Sequence, residues 1–209
     1  MSGSSVVILF GGLLAAYLLG SIPTGFVLAK AIAGIDIREH GSGNTGATNV
    51  FRVVGKGAGI AALTVDLLKG VLSVLLLRWL SVKLGLAPSW QSWVLVFAGL
   101  LAVVGHSKSV WLGFSGGKSA ATGLGVLLAL AWPVGLSVAA VFGVVLAISR
   151  TVSVGSIAAA VSAAIFMWAT GQPMAYLIVA IAGGLYVILR HRSNISRLLA
   201  GTEPKTFGS

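Results

Sequence analysis

The chain of 209 residues has no cysteine, only four acidic residues and only three histidines. The lack of cysteine excludes disulfides, thiolate nucleophiles and a thioester enzyme intermediate. The dispersed histidines and acids lack the spacing of metal ligands, so neither a metal nor another cofactor is expected. Charged residues of both signs make up only 9% of the chain, which excludes an ordinary soluble domain.

Most of the chain consists of hydrophobic residues. Hydrophobic residues make up 57% of it, and its mean hydropathy of +1.02 is that of a polytopic membrane protein. The length permits one membrane domain, residues 1–209. The net charge of +10 fits the positive-inside rule and also an anionic substrate, and the two interpretations coexist. Nucleic acid is not expected as a partner, because no soluble basic face exists to bind it.

Apolar segments predict an all-α bundle of about seven transmembrane helices, with the N-terminus outside and the C-terminus cytoplasmic. The spans lie near 5–28, 57–80, 91–107, 119–131, 134–149, 153–169 and 173–190. The stretch 119–149 is too long for one straight span and short for two, since a bilayer needs about 20 residues per helix. A turn near Trp132-Pro133 would place every basic cluster except Arg78 and Lys83 on one side, and the charge rule favours that arrangement. No basic region precedes the first apolar run, so it is expected to stay as a membrane helix.

This topology brings every glycine-rich polar segment to the cytoplasmic face. Such one-sidedness is typical of an enzyme that uses cytosolic substrates. A transporter of a phosphorylated solute or lipid is the alternative, but it would more often hold polar groups at mid-membrane between inverted repeats, and no convincing repeat is present. A non-catalytic membrane scaffold is a further alternative that leaves the polar loops unexplained.

The first of these segments is Gly20-Ser21-Ile22-Pro23-Thr24-Gly25. Proline and glycine inside an apolar span kink the helix and free backbone carbonyls. Close helix packing through small residues explains the same composition equally well. Lys30, farther along, is interpreted as an interfacial anchor.

The second segment, Gly41 to Arg52, predicts an anion site. It contains G-x-G-x-x-G, but no strand precedes it, so a dinucleotide-binding fold is excluded. Small residues let a backbone approach a ligand, and converging N–H groups with a cation favour phosphate. The alternative is a tight re-entrant loop. The candidate ligand-contacting residues here are Ser42, Gly43, Asn44, Gly46, Ala47, Thr48, Asn49 and Arg52.

The third segment runs from Gly105-His106 to Phe114-Ser115-Gly116-Gly117-Lys118-Ser119. It is similar to a P-loop but lacks the outer glycine, since position 112 is leucine, and no strand precedes it. Gly116 and Gly117 precede a helix that starts near Ser119, and a helix N-terminus with a lysine attracts phosphate. His106 is equally well explained as a structural or a catalytic residue.

The fourth segment, Arg190 to Arg197, is either a basic collar at the membrane exit or part of the site. His191 and Asn194 lie three positions apart and share a helix face.

Among the acids, Asp66 is expected to pair with Lys69, Lys30 or Arg52, because an acid within a membrane usually has a nearby base. Asp36 and Glu39 are interpreted as loop-surface charges.

Together, G-S-I-P-T-G, G-S-G-N-T-G-A-T-N-V-F-R, G-H…F-S-G-G-K-S-A-A-T and R-H-R-S-N-I resemble the bacterial acylphosphate:glycerol-3-phosphate acyltransferase family, known as PlsY. The resemblance runs from about Gly20 to Gly201, and its one minor departure is Ser119, where a glycine is common.

The resemblance implies a multi-pass enzyme on the inner face of the bacterial cytoplasmic membrane. It would move a fatty acyl group from acyl phosphate to the 1-hydroxyl of sn-glycerol 3-phosphate, giving lysophosphatidic acid and phosphate. Its partners would be these two substrates and membrane lipids. Carried over position by position, the resemblance implies glycerol 3-phosphate contacts by Ser42, Arg52, Lys118, His191 and Asn194. The backbone of Asn44–Asn49 and Ser153 would cradle the acyl phosphate.

The general base is the open point of the mechanism. No histidine has an aspartate five positions on, since those positions hold Thr45, Trp111 and Ser196, so the His-x4-Asp dyad of acyl-thioester glycerol-3-phosphate acyltransferases is absent. We therefore hypothesise direct attack by the substrate hydroxyl, with the donor phosphate accepting the proton, because the second pKa of a phosphate monoester is about 6.

Overall fold

The computed structural model describes residues 2–206. Within that range the chain forms ten α-helices and two short 3₁₀ turns, at Ile37–Glu39 and Val110–Leu112. The helices are α1 Gly3–Ser21, α2 Thr24–Ala33, α3 Ala47–Val53, α4 Lys56–Lys83, α5 Pro88–Ser107, α6 Ala120–Leu130, α7 Trp132–Ser149, α8 Val152–Ala169, α9 Met174–Arg190 and α10 Arg192–Leu199. The all-α class is confirmed.

Several of these helices are long and apolar enough to cross a membrane. Among the described residues they are Gly3–Ala33 (α1 with α2), Lys56–Lys83, Pro88–Ser107, Trp132–Ser149 and Val152–Ala169; α9 and α10, bent by 58°, form one more if taken together. α6 has 11 residues, which span only about 16 Å at 1.5 Å per residue. A multi-pass helical membrane protein is thus confirmed, whereas the count of seven crossings and the orientation stay predictions.

The first predicted span is broken. α1 ends at Ser21 and α2 begins at Thr24, because Pro23 has no N–H to continue the helix. The freed carbonyl of Ile22 accepts a hydrogen bond from Lys69 Nζ on α4 at 3.1 Å. A Cβ at Gly20 would lie 2.3 Å from the Ala102 carbonyl oxygen of α5. Both interpretations of this segment therefore hold: it is kinked, and it packs closely through a small residue.

The ambiguous stretch 119–149 forms two helices with the break at Ala131, immediately before Trp132. Pro133 lies in the first turn of α7, where a missing N–H costs no helical hydrogen bond.

Glycines bring α6 close to α4. A Cβ at Gly70 of α4 would lie 2.2 Å from the Thr122 carbonyl oxygen, and a Cβ at Gly125 of α6 would lie 2.0 Å from the Leu67 carbonyl oxygen. Only glycine permits such an approach of two helix backbones. This contact fixes the start of α6, and with it the loop that precedes it, against the middle of α4.

The outer surface of the bundle is apolar, as lipid contact requires. Phe10, Ile148 and Leu185 are each more than half exposed. Trp90 and Trp132 stand near the starts of α5 and α7, and Trp168 near the end of α8, and all three are also mostly exposed. Exposed tryptophans at helix ends are typical of the interface between membrane and water.

Candidate active site

A cavity of about 220 Å³ lies among helices α3 to α10. One end is polar and the other apolar. Of the residues proposed from the sequence, those that line it are Ser42, Asn44, Gly46, Ala47, Thr48, Asn49, Arg52, His106, Lys118, Ser153, His191 and Asn194. The second, third and fourth sequence segments thus contribute to one chamber, whereas no residue of Gly20–Gly25 lines it, and Ser153 joins them from the first turn of α8.

Asn49 organises the loop that carries Ser42 and Asn44. Its side chain is 2% exposed. Its Nδ2 donates to the carbonyl oxygens of His40 and Asn44, both at 2.9 Å, and its Oδ1 accepts the Ser42 N–H at 2.9 Å. Gly41 has a φ of +60°, which glycine adopts without strain. The polar atoms of Asn49 are thus occupied by the loop itself, so it holds Ser42 and Asn44 in place.

The loop leads directly into α3. Asn44 Oδ1 accepts the Gly46 N–H at 2.8 Å, which fixes the turn before the helix. Ala47 and Thr48 are the first residues of α3, and first-turn N–H groups have no intrahelical partner. Arg52 lies in the last turn, with its Nη2 3.3 Å from the Pro204 carbonyl oxygen. Helix α3 therefore presents backbone N–H groups and a guanidinium to the same chamber.

The Gly116–Lys118 loop is built on the end of α5. The Gly117 N–H donates to the His106 carbonyl oxygen at 3.1 Å. Arg190 Nη2 donates to the Gly117 carbonyl oxygen at 3.1 Å, so α9 holds the loop from the other side. Ser119 then starts α6 in the left-handed conformation, with φ +63°, and its Oγ donates to the Val103 carbonyl oxygen at 2.7 Å.

Lys118 is the central cation of the polar end. Its Nζ donates to Asn194 Oδ1 on α10. Burial lowers the pKa of Lys118 to about 8, and the Arg197, Arg190 and Arg52 guanidiniums act in the same direction, against the raising effect of the Glu203 carboxylate. Lys118 is therefore a partly buried cation with three guanidiniums and one carboxylate around it.

The two histidines of the cavity have different partners. His191 is 3% exposed, and its Nδ1 bonds the Val187 carbonyl oxygen at 2.7 Å. His106 is 8% exposed, and its Nδ1 lies 3.5 Å from Asp66 Oδ1. The expected pairing of Asp66 with Lys69 is also confirmed, with 2.9 Å between Nζ and Oδ1. Asp66 itself lines the cavity, which the sequence analysis did not foresee.

Glu203 also lines the cavity, and the sequence analysis did not propose it as a site residue. Its Oε1 accepts from Ser153 Oγ at 2.8 Å and from Asn194 Nδ2, and its Oε2 accepts from Arg197 Nε at 2.7 Å. Burial acts to raise the pKa of Glu203, but these three hydrogen bonds outweigh it and hold the pKa below its ordinary value. In the sequence, Glu203 is distinguished only as a single acid within a basic C-terminal segment.

Three of the proposed residues stand apart from the main cavity. Gly43 lines a smaller polar pocket beside it, together with Lys118, Arg190, Arg192 and Arg197. Gly116 and Gly117 line neither pocket, and they shape the loop from behind. Beyond the polar end, the main cavity continues between apolar and small side chains of α5 to α9, among them Leu100, Leu127, Phe142, Ala163 and Gly183.

Comparison with known proteins agrees with this architecture. The family model described as glycerol-3-phosphate acyltransferase matches residues 10–201. The glycerol-3-phosphate acyltransferase of Acaryochloris marina is 54% identical over 202 residues, which is 92% of this chain and 90% of that protein. The glycerol-3-phosphate acyltransferase of Nostoc sp. is 56% identical over 201 residues, 92% of this chain and 89% of that protein.

Two solved structures share the fold. The crystal structure of PlsY, an integral membrane glycerol 3-phosphate acyltransferase, in its glycerol 3-phosphate form has a TM-score of 0.86 at 42% identity; 99% of this chain and 96% of that chain are covered. Its lysophosphatidic acid form has a TM-score of 0.83 at the same identity and coverage. These matches show the family that the motifs resemble: the chain belongs to the PlsY family of integral membrane glycerol-3-phosphate acyltransferases.

Proposed function

We propose that this protein transfers a fatty acyl group from acyl phosphate to the 1-hydroxyl of sn-glycerol 3-phosphate, releasing lysophosphatidic acid and inorganic phosphate. The observation that carries the proposal is the cavity, in which a cationic polar end is continuous with an apolar interior. Both substrates carry a phosphate, and one carries a long acyl chain. A chamber of this kind suits an acceptor that is wholly polar and a donor that is polar at one end only.

Glycerol 3-phosphate is assigned to the side of the polar end formed by Ser42, Arg52, Lys118, His191 and Asn194. Arg52 and Lys118 supply the positive charge that a phosphate dianion requires, and a guanidinium can bind two phosphate oxygens at once. Burial and the surrounding arginines lower the pKa of Lys118 to about 8, and a bound dianion would counteract both effects, which supports the assignment.

The donor is assigned to the remainder of the cavity. Its phosphoryl group would lie against the loop from Asn44 to Asn49 and the Ser153 hydroxyl, where the first-turn N–H groups of α3 are available. Its acyl chain would extend between α5, α6, α8 and α9 into the apolar end. The reacting carbonyl would then lie where the polar and apolar parts of the cavity meet.

In the proposed reaction, the 1-hydroxyl oxygen bonds to the acyl carbon, the bond from that carbon to the phosphate oxygen breaks, and the hydroxyl proton passes to the departing phosphate. Both carboxylates that line the cavity have cationic partners, Asp66 with Lys69 and Glu203 with Arg197. Neither is therefore free to act as the base, which favours the donor phosphate in that role. The enzyme contributes positioning, which supplies several kcal/mol, and N–H and hydroxyl groups for the developing charge.

The proposed location is the bacterial cytoplasmic membrane, with the cavity mouth toward the cytoplasm. Arg52, Lys118, Arg190, Arg192 and Arg197 all stand at the polar end of the two pockets. An excess of basic residues on one side of a membrane protein is typical of its cytoplasmic face.

The test is acyl transfer by the purified protein with palmitoyl phosphate and radiolabelled glycerol 3-phosphate, for wild type, Arg52→Ala and Lys56→Ala. Lys56 is the matched control, because it is an exposed cation four positions away that lines neither pocket. We expect label in lysophosphatidic acid with wild type and Lys56→Ala, and a loss of about a hundredfold or more with Arg52→Ala, as for removal of a charged group that binds the transition state.

The outcomes separate the parts of the proposal. Product with acyl-CoA or acyl carrier protein but not with acyl phosphate would overturn the donor and keep the acceptor. Product from all three proteins at one rate would remove Arg52 from the site. No product with any donor would favour the transporter alternative.

A further inference from the structure

The buried pair of Asp66 and His106 lies directly beneath the loop that carries Lys118. Asp66 is on α4 and is 2% exposed; His106 is near the end of α5 and is 8% exposed. Asp66 Oδ1 lies 3.5 Å from His106 Nδ1, and both residues line the cavity. Among the described residues, His106 Nδ1 makes no hydrogen bond, and the Asp66 carboxylate at 3.5 Å is the charged group that it faces. Removal of the Asp66 charge would therefore leave the His106 ring without its polar neighbour on the α4 side.

Asp66 also pairs with a lysine of its own helix. Lys69 Nζ lies 2.9 Å from Asp66 Oδ1 and donates to the Ile22 carbonyl oxygen at the break between α1 and α2. Lys69 does not line the cavity. The ammonium neutralises the carboxylate and anchors it to a neighbouring helix, so Asp66 presents a fixed acceptor to the histidine.

The Nε2 edge of the His106 ring supports the loop. A Cβ at Gly117 would lie 2.0 Å from His106 Nε2, so the ring packs against the Gly117 backbone with no room for a methyl group. The Gly117 N–H also donates to the His106 carbonyl oxygen. Both the backbone and the ring of His106 thus set the position of Gly117, the residue immediately before Lys118.

We propose that Asp66 is a positioning residue for the acyl transfer: through the His106 ring it holds the Gly116–Lys118 loop, and so the Lys118 ammonium, in the place that binds glycerol 3-phosphate. The inference rests on the proposed function, because that function assigns Lys118 to the acceptor phosphate. It gives the intramembrane carboxylate a role in substrate affinity beyond pairing with Lys69.

The first experiment measures kcat and both KM values for Asp66→Asn and His106→Ala. We expect the KM for glycerol 3-phosphate to rise about tenfold while kcat and the KM for acyl phosphate change by less than about threefold, since a displaced cation weakens binding of one substrate. The control is Ser73→Ala on the same helix. Ser73 is fully buried and hydrogen-bonded to the Ala16 and Lys69 carbonyl oxygens but lies outside the cavity, so its loss should lower thermal stability and leave both KM values unchanged.

The second experiment is a double-mutant cycle, which does not depend on the folding of Asp66→Asn. Gly117→Ala should raise the KM for glycerol 3-phosphate, because the added methyl meets the ring. In the His106→Ala background that methyl has room, so the same change should have little further effect. Non-additivity of this kind is the signature of direct contact.

Two results would overturn the proposal. One is folded Asp66→Asn and His106→Ala proteins with wild-type KM for glycerol 3-phosphate and lowered thermal stability only. The other is simple additivity of His106→Ala and Gly117→Ala. Calorimetric titration of each variant with glycerol 3-phosphate alone gives the same comparison without a donor, so failure of this inference is distinguishable from failure of the acyl-phosphate assignment.

Discussion

Lys118 and Asn194 lie 76 positions apart in the chain, and the lysine Nζ donates to the asparagine Oδ1 at the polar end of the cavity. This hydrogen bond connects the loop before α6 to α10. Asn194 also donates to Glu203, so its amide lies between a cation and an anion. A phosphate that binds to Lys118 must compete with, or share, this interaction.

The first prediction concerns pH. Because the pKa of Lys118 is lowered to about 8, the unliganded enzyme loses the ammonium as the pH rises through that value. We expect kcat/KM for glycerol 3-phosphate to fall as the pH rises above about 8, with kcat less affected, since kcat/KM reports the free enzyme. Lys118→Arg should remove this alkaline limb, because a guanidinium stays protonated. An unchanged limb in that variant would assign it to another group.

The second prediction concerns Glu203, whose carboxylate accepts hydrogen bonds from three side chains. Glu203→Gln should destabilise the fold by about 1–3 kcal/mol, the cost of breaking a buried charged hydrogen-bond group. Since the folded-state pKa of Glu203 is depressed, its contribution is present above the ordinary glutamate pKa and is lost as the pH falls through the folded-state value. Thermal unfolding in detergent across acidic pH should therefore be steeper for wild type than for Glu203→Gln. The control is Glu39→Gln, an exposed acid in the loop after α2, which should leave the profile unchanged.

The third prediction concerns Ser119, a non-glycine residue with φ +63°. Ser119→Gly should be close to neutral, because the relief of a left-handed conformation, about 1 kcal/mol, offsets the lost hydrogen bond to Val103, also about 1 kcal/mol. Ser119→Ala keeps the strain and loses the bond, so it should lower the unfolding temperature more than Ser119→Gly. Equal stability of the two variants would show that the backbone conformation carries no cost here.

The fourth prediction concerns acyl-chain length. Gly183 lines the apolar end of the cavity, and a Cβ there would meet no atom within 4 Å, so a larger side chain can enter without displacing its neighbours. Gly183→Leu should reduce transfer from palmitoyl phosphate by about tenfold or more, as the loss of a few buried methylenes requires, and spare octanoyl phosphate. Gly143→Leu is the control, since Gly143 is equally open but lies on α7 outside the cavity. The same loss for both donors would place the acyl chain elsewhere.

The sequence was sufficient to predict the helical membrane fold and most of the polar residues that line the cavity. Polar, glycine-rich segments such as that of Ser42 and Lys118 are conspicuous in a chain that is otherwise apolar. Glu203 gave no comparable signal, because an acid takes its role from the donors around it, and those come from α8 and α10. The contact of His106 with Gly117 was equally unpredictable, since it depends on the distance between a ring and a backbone.

The predicted boundaries of α6, 119–131, agree closely with the observed Ala120–Leu130, whereas the first span, predicted as one kinked segment near 5–28, divides into two helices at Pro23. The break before Thr24 follows from Pro23, whereas the short α6 is accommodated by the glycines at its crossing with α4. Asn49 stays a predicted part of the substrate site: it lines the cavity, and its amide is hydrogen-bonded within the loop.

The contacts of Glu203 and Pro204 with Ser153 and Arg52 also have a consequence for how the protein is made. The wall of the cavity includes residues from Ser42 onward and is completed by residues 194 to 204. A nascent chain whose long helices are all in the membrane therefore still lacks part of that wall. We therefore expect a chain interrupted after α9 to enter the membrane without transferring an acyl group.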